Sequence, residues 1–291
     1  RRWKERCRAV KLNTKKMQDL RFEIGITLAT TLLLVLAFIP IFTMLLLSMK
    51  SNVQIYGDFF SLPNPIEWSN YSVAIGKLIP NMINTLLVVS IATACTMVLS
   101  VLSGYVFSRL DFPGKNFLYM CVLALMMVPG ILTLIPQYSL IQSYRLYNTW
   151  GALIFPWVAG GQVFGIILCH NYMQGLPGEL FESARLDGCG EVRALFYVAI
   201  PLSKPIIATI VVMKMIDFYN DFIWPLLAIE SNSKQVISVA IRVFQASTSG
   251  GNVYIGTLVA GFVVATIPLF LLFLFTSRLY MEGLTAGAVK G

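Results

Sequence analysis

The sequence predicts an all-α membrane protein with six transmembrane helices. Its mean hydropathy is +0.73, and only 12% of its 291 residues are charged. This combination exceeds what a soluble core needs and is typical of a bundle whose helices are apolar on every side. Six apolar runs are long enough to cross roughly 30 Å of hydrocarbon, which takes about 20 residues each. They lie near 24–49, 82–107, 117–141, 151–170, 205–228 and 255–277.

The first element is a basic tail, residues 1–23, which contains nine of the 22 Lys and Arg residues. Such a cluster beside an apolar run is typical of a cytoplasmic segment that faces lipid headgroups. The run at 24–49 is too long for the apolar region of a secretory signal, and no small-x-small cleavage site follows it. We therefore expect a retained first span.

The distribution of Lys and Arg predicts the orientation of the bundle. With the N-terminus inside, the inner segments contain sixteen of these residues and the outer segments contain five. Positive charge accumulates on the cytoplasmic side of membrane proteins. The sequence therefore predicts a multi-pass inner-membrane protein with both termini cytoplasmic. The six-helix membrane domain covers 24–281, its long inner loop covers 171–204, and a cytoplasmic tail covers 282–291.

Several spans contain helix breakers or small residues. The third span contains Pro129-Gly130 and Pro136, so it is predicted to be broken twice. Breaks survive in membranes where a neighbouring helix or a water-lined cavity satisfies the freed backbone groups. The third span is thus a candidate pathway wall, and a kinked structural helix is the alternative. Gly161 and Gly165 in the fourth span have the spacing of a close helix contact.

The fifth span contains ionisable side chains. Lys214 and Asp217 are three residues apart on one helical face, and Asn220 and Asp221 follow toward the outer end. Ionisable groups at membrane depth favour a functional interpretation, here a translocation pathway. Lys214 and Asp217 could equally neutralise each other as a structural pair.

The loop at 171–204 contains seven charged residues, a density that hydrocarbon does not tolerate. A short helix is predicted to begin near Pro177 and to end at Gly188, because proline suits a first turn and glycine suits a left-handed stop. A second short helix is predicted from Glu191 to Ala199. Apolar residues recur at helical spacing and predict a face for a groove on a cytosolic partner: Leu180, Phe181, Ala184, Val192, Leu195, Phe196 and Ala199.

The same loop resembles the EAA loop of ABC importer permeases. Glu182, Ser183 and Ala184 match the first three positions, Asp187 and Gly188 are in place, and Ser183 stands where the family usually has a second alanine. The segments 104–114 and 219–226 are similar to motifs of carbohydrate-class permeases. The resemblance implies a type I ABC importer permease fold with a cytoplasmic EAA-type coupling-helix loop. It also implies that these five residues couple the permease to an ATPase.

The C-terminus resembles the tail of the second permease of maltose-type importers. The resemblance implies that this tail contacts the ATPase subunits near their nucleotide sites. The tail residues concerned are Gly283, Leu284, Thr285, Ala286 and Gly287. By the same resemblance, the loop at 230–254 contacts a binding protein, and Ser249, Gly250, Gly251 and Asn252 project toward its sugar.

The implied assembly is a heterodimeric permease with further subunits. It would contain a second homologous permease, two cytosolic ABC ATPases and an extracytoplasmic sugar-binding protein, in contact with membrane lipid. The sequence has no GxxxxGK[ST] phosphate-binding loop. We therefore expect no cofactor on this chain, which would not be an enzyme, and we expect ATP and Mg to bind the partner subunits.

The expected substrate is an oligosaccharide. Five basic and three acidic residues lie on the predicted outer side, which is compatible with an anionic sugar such as alginate fragments. A neutral malto-oligosaccharide needs no opposite charge, so both remain open. Trp68, Asn70 and Tyr71 are candidate sugar contacts in the first outer loop, although Trp and Tyr also populate lipid interfaces.

Other functional classes fit the sequence less well. An ion-coupled secondary carrier for a polar solute would also use broken helices, but such folds usually show inverted repeats and more spans. An intramembrane enzyme or a metal site would need partners for His170, the only histidine. The five cysteines lack metal-ligand spacing and are interpreted as packing residues. No sequence motif for nucleic-acid binding is present.

Overall fold

The computed structural model describes the backbone of residues 2–249 and 254–288, and the side chains of residues 22–246 and 254–277. In these ranges the chain forms helices and connecting loops, without β-strands. The helices are α1 (Arg2–Ser48), α2 (Asn52–Gly57), α3 (Ser69–Arg109), α4 (Lys115–Leu125), α5 (Gly130–Ser143), α6 (Gly151–Gln174), α7 (Gly178–Leu186), α8 (Glu191–Leu202), α9 (Lys204–Asn220), α10 (Ile223–Ala228), α11 (Ile237–Ser249) and α12 (Ile255–Ala288).

Four of these helices contain apolar segments long enough to cross a membrane by themselves. They are Phe22–Ser48, Ser69–Arg109, Gly151–Gln174 and Ile255–Ser277. Two further candidate spans are bent pairs: α4 and α5 meet at 98°, and α8, which lies within the loop at 171–204, meets α9 at 77°. The described chain thus has six spans when each bent pair is counted as one.

The third span is broken once, not twice. The chain leaves helical geometry before Gly130, where Pro129 has an extended backbone (φ −62°, ψ 126°). Pro136, in contrast, lies inside the continuous helix α5. The expectation of a second break at Pro136 was therefore wrong. Membrane helices tolerate an internal proline where neighbouring groups satisfy the freed backbone carbonyl.

The fifth span is shorter than its apolar run. A continuous helix over 205–228 was expected, but α9 ends at Asn220 and the short helix α10 begins at Ile223. Pro225 explains the break, because its ring would clash with the carbonyl of Asp221 four residues earlier in a continuous helix. That carbonyl instead accepts a hydrogen bond from Ser238 Oγ at 2.7 Å.

The centre of the bundle is the contact between α3 and α6. Small residues permit it: a Cβ added at Gly165 would lie 2.1 Å from Ser100 Oγ, and one at Gly104 would lie 2.3 Å from Cys169 Cβ. A Cβ at Gly161 would lie 2.9 Å from the ring of Phe218. The expected close contact through Gly161 and Gly165 is thus confirmed, since neither position has room for a larger side chain.

The loop between the first and second spans is fixed to the bundle by polar contacts. Lys50 is fully buried, and its Nζ donates to the carbonyls of Asp58 and Phe59 at 2.9 and 3.0 Å. Asn70 donates to the carbonyls of Ser48 and Lys50 and accepts from Thr257. Because the Asn70 side-chain amide makes all three bonds, it holds the loop in place. The expectation that Asn70 contacts a sugar was therefore wrong.

A further helix in the loop between the fifth and sixth spans was not foreseen. The sequence suggested a loop at 230–254, but α11 occupies Ile237–Ser249 and packs on α3 and α12. Its apolar residues recur with helical spacing, which could have revealed it. Buried Phe244 belongs to the core cluster that α11 forms with Leu78 and Ala260.

Candidate functional site

A cavity of about 610 Å³ lies between α5, α6 and the broken fifth span. The four polar residues that the sequence singled out in that span, Lys214, Asp217, Asn220 and Asp221, all line it. The opposite wall includes Gly130 at the break of the third span. The two breaks therefore face one space, and the third span forms a wall of it as the sequence suggested.

Asp221 is the most connected of these residues. Its Oδ2 accepts a hydrogen bond from Trp157 Nε1 at 2.7 Å, and its Oδ1 lies 3.4 Å from the backbone nitrogen of Trp224. The second contact satisfies a free N–H in the first turn of α10. Asp221 thus joins the fourth span to the break in the fifth.

Lys214 and Asp217 form an ion pair, with 2.9 Å between Nζ and Oδ2. The side chain of Lys214 is 11% exposed, and its Nζ also lies 5.4 Å from the ring centroid of Phe164. The side chain of Asp217 is 55% exposed and reaches the cavity. The expected pairing of Lys214 with Asp217 is therefore present, and the Asp217 carboxylate remains accessible from the cavity.

Aromatic and amide residues complete the cavity, and sequence reasoning missed them. The rings of Trp157 and Phe218 are stacked, with centroids 5.2 Å apart and 7° between their planes. Gln137 on α5 adds an amide to the lining. A tryptophan within an apolar span was a usable signal, because its buried N–H requires an acceptor.

The inner loop forms two short helices joined at Gly188, as the sequence predicted. Gly188 has φ +79°, a left-handed conformation that favours glycine, and no atom lies within 4 Å of a Cβ added there. Glu182, Ser183 and Asp187 are exposed, and Ala184 is partly buried. The residues assigned to the coupling role therefore lie on one accessible segment.

Side chains of α3 anchor this loop to the bundle. The Arg109 guanidinium donates to the carbonyls of Met173 and Leu176 and lies 4.1 Å from the ring centroid of Phe181. Tyr105 donates its hydroxyl to Glu191 Oε2 at 2.9 Å. Glu191 also pairs with Arg185 at 2.9 Å. Sequence reasoning did not single out these anchoring roles, although Tyr105 and Arg109 lie one helical turn apart.

The apolar face expected on this loop is divided between the bundle and the surface. Phe181, Leu195 and Ala199 are buried in a core cluster with residues of α3 and α6, so assigning them to a partner was wrong. The short helices need these residues to hold to their own bundle. Leu180, Val192 and Phe196 are exposed as expected. They are joined by Leu186, which is 89% exposed, and by Tyr197.

Two further expected sites lie wholly or partly outside the described residues. Gly250, Gly251 and Asn252 are outside them, and of Ser249 only the backbone is described, as the last residue of α11. The backbone of the tail from Gly283 to Gly287 belongs to α12, while its side chains are outside the described part. Their roles stay predictions.

At the end of the bundle opposite to the loop at 171–204, Asn148 connects two further loops. Its Oδ1 accepts from the backbone nitrogens of Glu230 and Ser231, and its carbonyl accepts from Lys234. Neighbouring Tyr147 has a raised pKa because it is desolvated and, secondarily, because it lies near the Glu230 carboxylate. These contacts join the loops at 144–150 and 229–236 to each other.

Comparisons with known proteins agree with this architecture. The family described as the inner membrane component of binding-protein-dependent transport systems matches residues 96–281. The arabinooligosaccharides transport system permease protein AraQ of Bacillus subtilis is 30% identical over 276 residues, which are 93% of this chain and 96% of the relative. The diacetylchitobiose uptake system permease protein NgcG of Streptomyces coelicolor is 28% identical, over 88% of this chain and 85% of the relative.

A solved structure shares the fold. A bacterial ABC transporter involved in the import of the acidic polysaccharide alginate superposes with a TM-score of 0.78 at 21% identity, over 90% of this chain and 97% of that chain. The chain belongs to the inner membrane component family of binding-protein-dependent transport systems. The predicted ABC importer permease fold is thereby confirmed, and the ion-coupled carrier is not favoured.

Proposed function

We propose that this chain is one permease half of an ABC importer that moves oligosaccharides into the cytoplasm. The observation that carries the proposal is the cavity of about 610 Å³, in which the charged and amide side chains of one broken span face the break of another. The named sugar substrates of the relatives AraQ and NgcG support a carbohydrate as the cargo.

The cavity suits a hydroxylated substrate. Asp217 and Asn220 offer exposed polar atoms, and the edges of the largely buried, stacked Trp157 and Phe218 line the wall beside them. Sugars combine hydroxyl groups with apolar C–H faces, and binding sites meet both with a few placed polar groups on a largely apolar wall. A second homologous permease would supply the other wall.

The inner loop would receive the mechanical input. Exposed Leu186, Val192 and Phe196 form an apolar surface beside charged Glu182 and Asp187. An apolar centre with a polar rim suits a protein interface, and the proposed partner is a cytosolic ATPase subunit. The contact of Glu191 with Tyr105 would pass the movement of the loop to α3.

The remaining parts of the assembly follow from this assignment. Two ATPase subunits would bind ATP and Mg, and the tail at 282–291 would reach between them. An extracytoplasmic sugar-binding protein would dock on the outer loops, with Ser249 to Asn252 directed toward its sugar. Both termini would be cytoplasmic, in the orientation that the excess of inner Lys and Arg favours.

The test is sugar uptake by the reconstituted assembly. Proteoliposomes containing both permeases and the ATPases would be supplied with the binding protein and labelled arabino-, malto- or mannuronate oligosaccharides. We expect ATP-dependent accumulation of at least one of these sugars. If the assembly hydrolyses ATP but accumulates none of these sugars, a carbohydrate cargo is contradicted.

A further inference from the structure

A second, smaller cavity lies at the outer end of α3. It has a volume of about 240 Å³, and its lining includes Lys77, Asn81, Gln235 and Phe244. Tyr105 and Arg109, which hold the inner loop, lie at the other end of the same helix. Because α3 has 41 residues and is about 60 Å long, these two ends lie on opposite sides of a bilayer.

The cavity is built by specific hydrogen bonds. Asn81 donates to the carbonyls of Asn232 and Gln235 at 3.0 and 2.9 Å. Fully buried Thr85 donates to the carbonyl of Asn81 and accepts from the backbone nitrogen of Ile237 at 2.7 Å. These bonds fix the segment at 232–237 against α3, so the wall is a rigid part of the fold.

The lining leaves polar groups for a ligand. The residue Gln235 is 8% exposed, and its side-chain amide has no hydrogen-bond partner among the described residues. Asn81 uses its amide nitrogen in the wall, which leaves its Oδ1 as an acceptor. Neither amide belongs to the fully buried polar atoms that lack a partner in the described residues, so both are open to the cavity. A ligand with hydroxyl groups would satisfy both amides.

Lys77 gives the cavity a positive charge. It forms no salt bridge with the described residues, and its Nζ lies 5.9 Å from the ring centroid of Phe244 at the cavity wall. A cation at the rim, amides inside and apolar Leu78 and Val243 in the lining favour an acidic sugar ring. An apolar cavity of about 150 Å³ holds a benzene molecule, so the volume suffices for one substituted six-membered ring.

We infer that this cavity is an outer subsite for one acidic saccharide unit, in which Lys77 binds the carboxylate. This inference rests on the proposed function, because it assigns a second contact for the imported sugar. A substrate leaving the binding protein would meet this subsite in addition to the cavity at Asp217. Selection for negative charge would then occur at the end of α3, before the sugar reaches the cavity at Asp217.

Direct binding tests the subsite without the binding protein. The probes are a β-1,4-linked mannuronate trisaccharide and its neutral counterpart, mannotriose. Saturation-transfer NMR on the purified permease–ATPase assembly measures the apparent affinity for each. We expect Lys77→Met to weaken mannuronate binding at least about fivefold, because a charge-assisted hydrogen bond is lost. Mannotriose binding should change less than about twofold by the same reasoning.

Two further variants sharpen the test. Arg145→Met removes a positive charge from the same side of the chain but not from the cavity lining, and it should leave both affinities unchanged. Gln235→Leu removes the amide from the cavity lining and should weaken the binding of both sugars. Basal ATPase activity and the thermal midpoint report whether each assembly is intact.

Several results would overturn the inference. These are the absence of saturation transfer from the wild-type assembly, equal losses for both sugars in Lys77→Met, and no loss for mannuronate. Failure of the proposed function has a different signature, since wild-type proteoliposomes would then import no saccharide. A normal uptake assay combined with an unchanged Lys77→Met affinity would reject the subsite alone.

Discussion

Single residues at the break of the fifth span combine structural and functional roles. Asp221 accepts a hydrogen bond from Trp157 and lines the cavity of about 610 Å³ between α5, α6 and the fifth span. Because Asp221→Ala leaves the buried Trp157 N–H without an acceptor, we expect a loss of about 1–3 kcal/mol in stability and a marked loss of uptake. Asp221→Asn keeps an acceptor oxygen and should be milder in both. Thermal midpoints and uptake rates measure this; unchanged uptake in Asp221→Ala would remove Asp221 from the pathway.

The ion pair of Lys214 and Asp217 poses a separate question. Asp217→Asn leaves the largely buried Lys214 ammonium without its carboxylate, so this variant should lose more activity than the double variant Lys214→Met/Asp217→Asn. Uptake by the two single variants and the double variant completes a double-mutant cycle. Recovery to wild-type uptake in the double variant would show a purely structural pair. A persistent deficit would show that Asp217 also serves the substrate.

At the scale of elements, the turn between the two inner helices is the most demanding feature. Gly188 has φ +79°, and proline is fixed near −65°. Gly188→Pro should therefore displace the loop and abolish sugar-stimulated ATPase activity. Gly190→Ala is the matched control, because Gly190 has φ −71° and open space around its Cβ position. Normal stimulation in Gly188→Pro would show that the loop does not couple the two activities.

The contact between α3 and α6 makes a second prediction at this scale. Gly165→Ala places a Cβ 2.1 Å from Ser100 Oγ, so the helices must separate, at about 1–3 kcal/mol. Gly160→Ala, at a position with nothing within 4 Å, should be neutral in stability. Thermal midpoints of the purified assemblies compare the two. Equal midpoints would contradict a tightly packed contact at Gly165.

At the scale of the whole molecule, the sequence was most informative where one physical rule dominates. Hydropathy identified all six spans, and the positions of Gly188 and Pro129 marked real backbone features. The sequence was misleading where two physical effects opposed each other. Pro225 interrupts the helix although the fifth apolar run continues past it. Phe181 and Leu195 were expected on a face for a partner, but they are buried in the bundle's own core. Contacts between distant segments, such as Trp157 with Asp221, have no local signature.

The most direct test of the whole account is the ATPase activity of the complete assembly. The two permeases, the ATPases and the binding protein would be reconstituted and supplied with a panel of neutral and anionic oligosaccharides. We expect one class of sugar to stimulate ATP hydrolysis, because the loaded binding protein would act on the ATPases through the spans and the loop at 171–204. Hydrolysis that is indifferent to every sugar would contradict a carbohydrate importer.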